Sequence, residues 1–130
     1  MITFGEVCEL LANGSKLGHW RFDKVANCFR TAIFYNQCLE FRSQGKLVGV
    51  LTYALVSDEV LAALLRGDRR ITFEDWQSGE NLFFADFVAP FGGVAQMMRQ
   101  TQKLIEQKKG KGAIGYWYRP KTEKVGYAKT

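Results

Sequence analysis

The sequence predicts an α/β domain of the α+β kind: a mixed, mainly antiparallel sheet flanked by helices. Three observations carry that expectation. A capping box opens the chain, with Thr3 followed three residues later by Glu6. Two strand-like runs are joined by the turn Ser43-Gln44-Gly45-Lys46. An apolar run, Asn81 to Ala89, then feeds a Gly92-Gly93 turn, a long amphipathic segment and a last strand-like run. At 130 residues the whole chain, 1–130, reads as one domain, because two would each be too small to bury a core.

The elements follow in order. Phe4, Val7, Cys8, Leu10 and Leu11 share one helical face, so a helix is expected from Thr3 to Ala12, closed by Asn13-Gly14. Ser15 to Phe22 is a loop that carries Lys16, His19, Trp20 and Arg21. Asp23 caps a short helical turn through Cys28. Thr31 to Arg42 mixes aromatic, aliphatic and polar residues and reads as a strand, with Leu47 to Val56 as its more buried hairpin partner. Ser57-Asp58-Glu59 starts a helix that Gly67 stops. Asp68 to Glu80 is polar and turn-rich. Strict alternation along the next strand points Phe83, Ala85, Phe87 and Ala89 one way and Leu82, Phe84, Asp86 and Val88 the other. Val94 to Lys109 is a helix, Ala113 to Tyr118 a strand, and Arg119 to Thr130 a basic tail.

Composition narrows the function classes. Eighteen Lys and Arg against thirteen Asp and Glu leave a net charge of +5, which suits acidic partners. One His and three Cys without CxxC spacing argue against a metal site and against a disulfide framework, and fit a reducing compartment. Met1 to Gly14 lacks the basic start of a signal peptide, and the longest apolar stretch, Leu47 to Val56, falls far short of the ~20 residues a membrane helix needs. The expectation is therefore a cytoplasmic protein without membrane insertion.

Two residues stand out chemically. His19 is the only histidine, and its ordinary pKa of about 6.5 suits a general base, although position alone favours a surface loop residue. Asp86 interrupts an apolar run and needs either a partner or a wet cleft, because burying a lone charge is costly. A His–Asp pair would use both groups, and a salt bridge to Arg or Lys is the plain alternative for Asp86. Gly92 and Gly93 before a helix offer backbone N–H groups to an anion or simply make a tight turn. Gln96, Arg99 and Lys103 lie near that turn or on a solvated face. The basic, aromatic C-terminal stretch is more simply a strand with a basic edge than a nucleic-acid site.

Specificity enters with two neighbouring motifs. Glu74-Asp75-Trp76-Gln77-Ser78-Gly79-Glu80 and Asp86-Phe87-Val88-Ala89-Pro90-Phe91-Gly92 together resemble the RTX toxin-activating lysine acyltransferases, of which this would be a short member. Arg119-Pro120-Lys121-Thr122 also has a counterpart there, as does a His followed by Trp, matched by His19 and Trp20. The resemblance implies a fold similar to the GCN5-related N-acetyltransferases (GNAT-like). It implies transfer of a fatty acyl group from acyl carrier protein, the donor substrate, to a lysine ε-amine of a target protein. It implies a homodimer with no permanently bound cofactor. It assigns catalysis to His19 and Asp86 and matches Ser15 and Trp20 beside that His as supporting residues. The chain's own turn before the helix makes Ala89, Phe91, Gly92 and Gly93 the candidate donor and oxyanion contacts and Arg99 a candidate supporting side chain. The same residues leave two other readings open: an acyl-CoA donor, or an interaction protein that grips a target through the old cleft.

Overall fold

The computed structural model describes residues 1–13, 21–119 and 124–129. The element order is α1 (Phe4–Ala12), α2 (Phe22–Phe34), β1 (Cys38–Ser43), β2 (Lys46–Val56), α3 (Asp58–Arg66), a 3₁₀ turn (Phe73–Trp76), β3 (Asn81–Val88), α4 (Val94–Lys109), β4 (Ile114–Arg119) and β5 (Lys124–Lys129). The strands form one sheet in the order β1-β2-β3-β4-β5, antiparallel throughout except for the parallel pair β3–β4 that α4 connects. The expected α+β class with a mixed, mainly antiparallel sheet is what is observed.

Local chemistry sets most boundaries where the sequence places them. Thr3 and Glu6 form the reciprocal capping box of α1. The Ser57 side chain accepts from the Val60 N–H at the start of α3, and Gly67 ends that helix in the left-handed conformation.

Two expectations are corrected. The strand expected from Thr31 is instead the last turn of α2, and β1 begins only at Cys38. Asn36 explains this: it adopts a positive φ of 55°, and the Gln37 N–H reaches back to the Ala32 carbonyl at 2.8 Å, a helix-terminating arrangement. The buried Gln37 side chain then bonds the carbonyls of Tyr53 and Trp76, both at 3.0 Å, fixing where β1 starts. The basic tail is also not all tail, since β5 pairs along the whole of β4, from Ile114↔Lys129 to Arg119↔Lys124.

The sheet separates the helices. Val50, Ala54, Val56, Phe83 and Val88 pack toward α1, α2, α3 and the 3₁₀ turn. Phe41, Leu51, Leu82 and Phe84 pack toward Met97 and Ile105 of α4. No helix among the described residues is long and apolar enough to cross a membrane.

Candidate active site

The parallel ladder between β3 and β4 registers only Leu82 with Gly115 and Phe83 with Tyr116. Past that point a cavity of about 980 Å³ lies between the strands, with Phe84 to Phe87 on one side and Trp117 on the other. Lys24 and Cys28 of α2, Gly67 to Ile71 after α3, and Val94 and Met98 at the start of α4 complete its walls. Most of this lining is apolar, and the cations Lys24, Arg69 and Arg70 lie among it.

Asp86 reaches the cavity through a β-bulge. Thr52 pairs with Asp86 and the next residue, Tyr53, pairs with Phe84, so Ala85 is the extra residue. The bulge overturns the strict alternation expected for this strand. Phe87 joins Leu82 and Phe84 on the α4 side, where its ring stacks on Phe41 at 6.2 Å. Asp86 instead shares the face of its cross-strand partner Thr52 and lines the cavity with Lys24 and Cys28 of α2. The fully buried Thr52 hydroxyl holds the bulge by accepting from the Asp86 N–H at 3.0 Å.

The Asp86 carboxyl makes no ion pair and no side-chain hydrogen bond among the described residues. Burial pushes its pKa up to about 6, against the opposing pull of the Lys24 charge. Burial, with a further contribution from Asp86, also pushes the Cys28 thiol up to about 11 despite Lys24 and Arg70 nearby. Cys28 is therefore a neutral wall residue at physiological pH and not a ready nucleophile.

The other expected site residues are distributed unevenly. His19, Ser15 and Trp20 lie outside the described residues. In sequence His19 stands two residues before Arg21, the residue that precedes α2, and Lys24 in the first turn of that helix lines the Asp86 cavity. Ala89 packs with the core under α4. Phe91 is exposed and sits apart from the cavity, against a small pocket with Glu6, Leu10 and Lys46, with the Lys46 amine 5.8 Å from its ring. The Gly92 N–H is already spent within the turn, donating to the Ala89 carbonyl at 3.2 Å. Gly92 and Gly93, at φ 89° and 81°, make the reversal that starts α4, and the N-cap residue Gly93 offers no side chain to cap that start. Arg99 is exposed on α4 and is not part of the cavity wall.

Sequence reasoning missed Lys24, Cys28, Arg69 and Arg70. The only local signal was the i, i+4 spacing of Lys24 and Cys28, which becomes informative once α2 is known to be a full helix. Arg69 arrives by another route. Asp75, buried in the 3₁₀ turn, holds its guanidinium, accepts the Thr72 N–H at 2.9 Å and completes a capping box with Thr72. Trp76 is 2% exposed, and a Cβ on Gly79 would meet the Ser57 backbone at 2.5 Å. The Glu74–Glu80 motif is thus a structural knot at the edge of the cavity. Among the described residues no group of His, Cys, Asp or Glu is arranged to hold a metal.

A model of the RTX toxin acyltransferase family matches residues 1–125. The chain belongs to that family. Among its relatives is the uncharacterized protein sll0720 of Synechocystis, 26% identical over 78% of this chain and 70% of its own length. Lysine-acyltransferase RtxC of Vibrio cholerae is 26% identical over 52% of this chain and 44% of its own length. The RTX-II toxin-activating lysine-acyltransferase ApxIIC of Actinobacillus pleuropneumoniae is 22% identical over 98% of this chain and 79% of its own length. The family and these names support an acyltransferase.

Proposed function

We propose that this protein moves a fatty acyl group from acyl carrier protein to the ε-amine of a lysine on a target protein, with His19 and Asp86 assisting. The observation that carries the reading is Asp86: an unpartnered carboxylate, among the described residues, aimed by a bulge into a largely apolar cavity between two diverging parallel strands. Such an opening is similar to the splayed sheet of the GCN5-related N-acetyltransferases, where an acyl thioester threads between strands.

The chemistry has a defined order. A lysine near its ordinary pKa of about 10.4 is an ammonium and must lose a proton before it attacks. His19 takes that proton as general base, while Asp86 orients the imidazole and stabilises the imidazolium that forms. The amine nitrogen bonds to the thioester carbon, and the tetrahedral oxyanion draws on backbone N–H groups at the uncapped start of α4. The C–S bond then breaks as the amide forms: the proton held by His19 passes to the departing thiolate, and the second proton of the attacking nitrogen leaves to solvent through the freed imidazole. The apolar wall formed by Leu51, Phe83, Phe84 and Trp117 suits the acyl chain and excludes water from the thioester. With its thiol raised to about 11, Cys28 is poorly suited to accept the acyl group itself.

The test is thioester consumption with a panel of acyl-carrier-protein and acyl-CoA donors in host lysate, comparing the wild type with His19→Ala. Consumption of carrier-borne donors that is lost in His19→Ala supports the reading, and mass spectrometry then locates the acylated lysine. Equal consumption by His19→Ala overturns the assigned base. Consumption of acyl-CoA alone overturns the carrier-protein donor. No consumption with any donor leaves the interaction-protein reading in its place.

A further inference from the structure

The charge of this chain is segregated. Residues 1–93 carry nine Lys and Arg against eleven Asp and Glu, whereas residues 94–130 carry nine against two. The ion pairs repeat the division. All five among the described residues lie before residue 94: Arg21–Asp23, Arg42–Glu6, Arg42–Glu40, Arg66–Asp68 and Arg69–Asp75. The first part of the molecule satisfies much of its charge internally, and α4 does not.

On α4 the inward face is fixed by Met97, Thr101 and Ile105, all buried. Lys108 and Lys109 fold back onto the body, at 3.4 Å from the Tyr53 hydroxyl and 2.9 Å from the Glu80 carbonyl. Arg99 and Lys103 are different. They stand one helical turn apart, both exposed, and neither makes an ion pair among the described residues. The same helix begins at the cavity, where Val94 and Met98 form part of the wall. At a rise of about 1.5 Å per residue, Lys103 lies only ~14 Å along the axis from Val94.

We infer that the outer face of α4, with Arg99 and Lys103 as its ionic contacts, is the surface on which an acidic carrier protein docks to deliver its thioester arm into the cavity. The inference rests on the carrier-dependent reading above and assigns Arg99 to docking instead of to the chemistry. Exposed charges of this kind act mainly on encounter and on salt dependence, and they leave the reacting atoms untouched. An arm delivered from α4 enters beside Val94 and meets Asp86 inside, so docking and chemistry fall on separate residues of one continuous surface.

The experiment compares Arg99→Glu/Lys103→Glu with the wild type on two donors, acyl carrier protein and a small acyl-pantetheine thioester without protein. Arg30→Glu, on the exposed face of α2, controls for charge reversal elsewhere. The expected result is a KM for the carrier-borne donor raised tenfold or more at low salt, with kcat within twofold, a difference that shrinks as salt is added. Acyl-pantetheine turnover and the Arg30→Glu control stay at wild-type values. An unchanged KM, or an equal loss with both donors, overturns the docking surface while leaving the acyltransferase reading standing. Titration of acyl carrier protein onto each protein reads docking without turnover. Binding that the α4 reversal abolishes, in a wild type inert with every donor, would sink the transfer reading and keep the docking surface.

Discussion

Asp75 and Asp86 stand in neighbouring motifs and have opposite surroundings. Asp75 is 5% exposed and fully engaged, holding Arg69, accepting from Thr72 and capping its own turn. Asp86 has no side-chain partner among the described residues, borders a cavity of about 980 Å³ and is pushed up to about 6 by burial. Both motifs carried the family resemblance, but physical surroundings divide their roles. A carboxylate with both oxygens engaged is architecture, and one without a side-chain partner among the described residues, at a cavity, is a candidate for chemistry.

The largest expected effect tests that division directly. Asp86→Asn removes the charge while keeping the shape, and should lower acyl transfer by roughly 10²- to 10⁴-fold, the usual scale for a general acid–base component. Its urea midpoint should be equal to or above that of the wild type. Activity within tenfold of wild type would make Asp86 a wall residue and break the comparison. Asp75→Asn should do the reverse. It replaces one of the two accepting oxygens by an amide donor, so either Arg69 or the Thr72 N–H loses its acceptor, and should cost about 1–2 kcal/mol of unfolding free energy. Activity per folded molecule should stay close to wild type when the two proteins are compared well below the unfolding midpoint.

A smaller effect sharpens the contrast. The folded-state pKa of Asp86 is raised from 3.8 to about 6, so between about pH 4 and pH 6 the native state binds more protons than the unfolded state. Stability from this group therefore falls as pH rises through that window. The burden at pH 7 is up to roughly 2–3 kcal/mol, at 1.36 kcal/mol per pKa unit. Urea unfolding from pH 4 to pH 7 should show the slope in wild type and lose it in Asp86→Asn. A parallel decline in both proteins would mean that Asp86 is not the group that titrates in this window.

These contrasts also show what a sequence can disclose. The capping box of α1, the Ser57 cap and Gly67 stop of α3, the β1–β2 turn and the extent of α4 were all legible, because each rests on residues adjacent in the chain. The extent of α2 was not, because its end depends on Asn36 adopting a positive φ and on Gln37 being tied to strands distant in sequence. Asp86 was legible as a charge in an apolar run. Its direction was not, because one extra residue, Ala85, reverses the alternation, and nothing local to β3 announces a bulge that Thr52 holds from the next strand. Lys24, Cys28, Arg69 and Arg70 converge on the cavity from separate elements, so only the folded chain brings them together.

The smallest effect places a third carboxylate between these extremes. Glu6 is half-buried and accepts from Arg42 at 2.7 and 3.1 Å and from the Thr3 N–H at 3.1 Å, tying the start of α1 to β1. The Arg42 guanidinium, helped by Thr3, holds its pKa down to about 2, below the usual 4.5. A depressed carboxylate contributes stability that is complete above its unfolded pKa and is lost as pH falls, here from about 4.5 toward 2. Glu6 and Asp86 therefore titrate with opposite sign in adjoining windows. The contribution of Glu6 should rise from pH 2 to about pH 4.5, and that of Asp86 should decline from there toward pH 6. Glu6→Gln should flatten only the rising limb, and Asp86→Asn only the falling one. Unfolding curves of the two single variants and the double variant, taken across pH 2 to 7, check the separation. A double variant whose limbs are not the sum of the singles would show that α1 and the cavity are coupled, although these carboxylates sit on different parts of the fold.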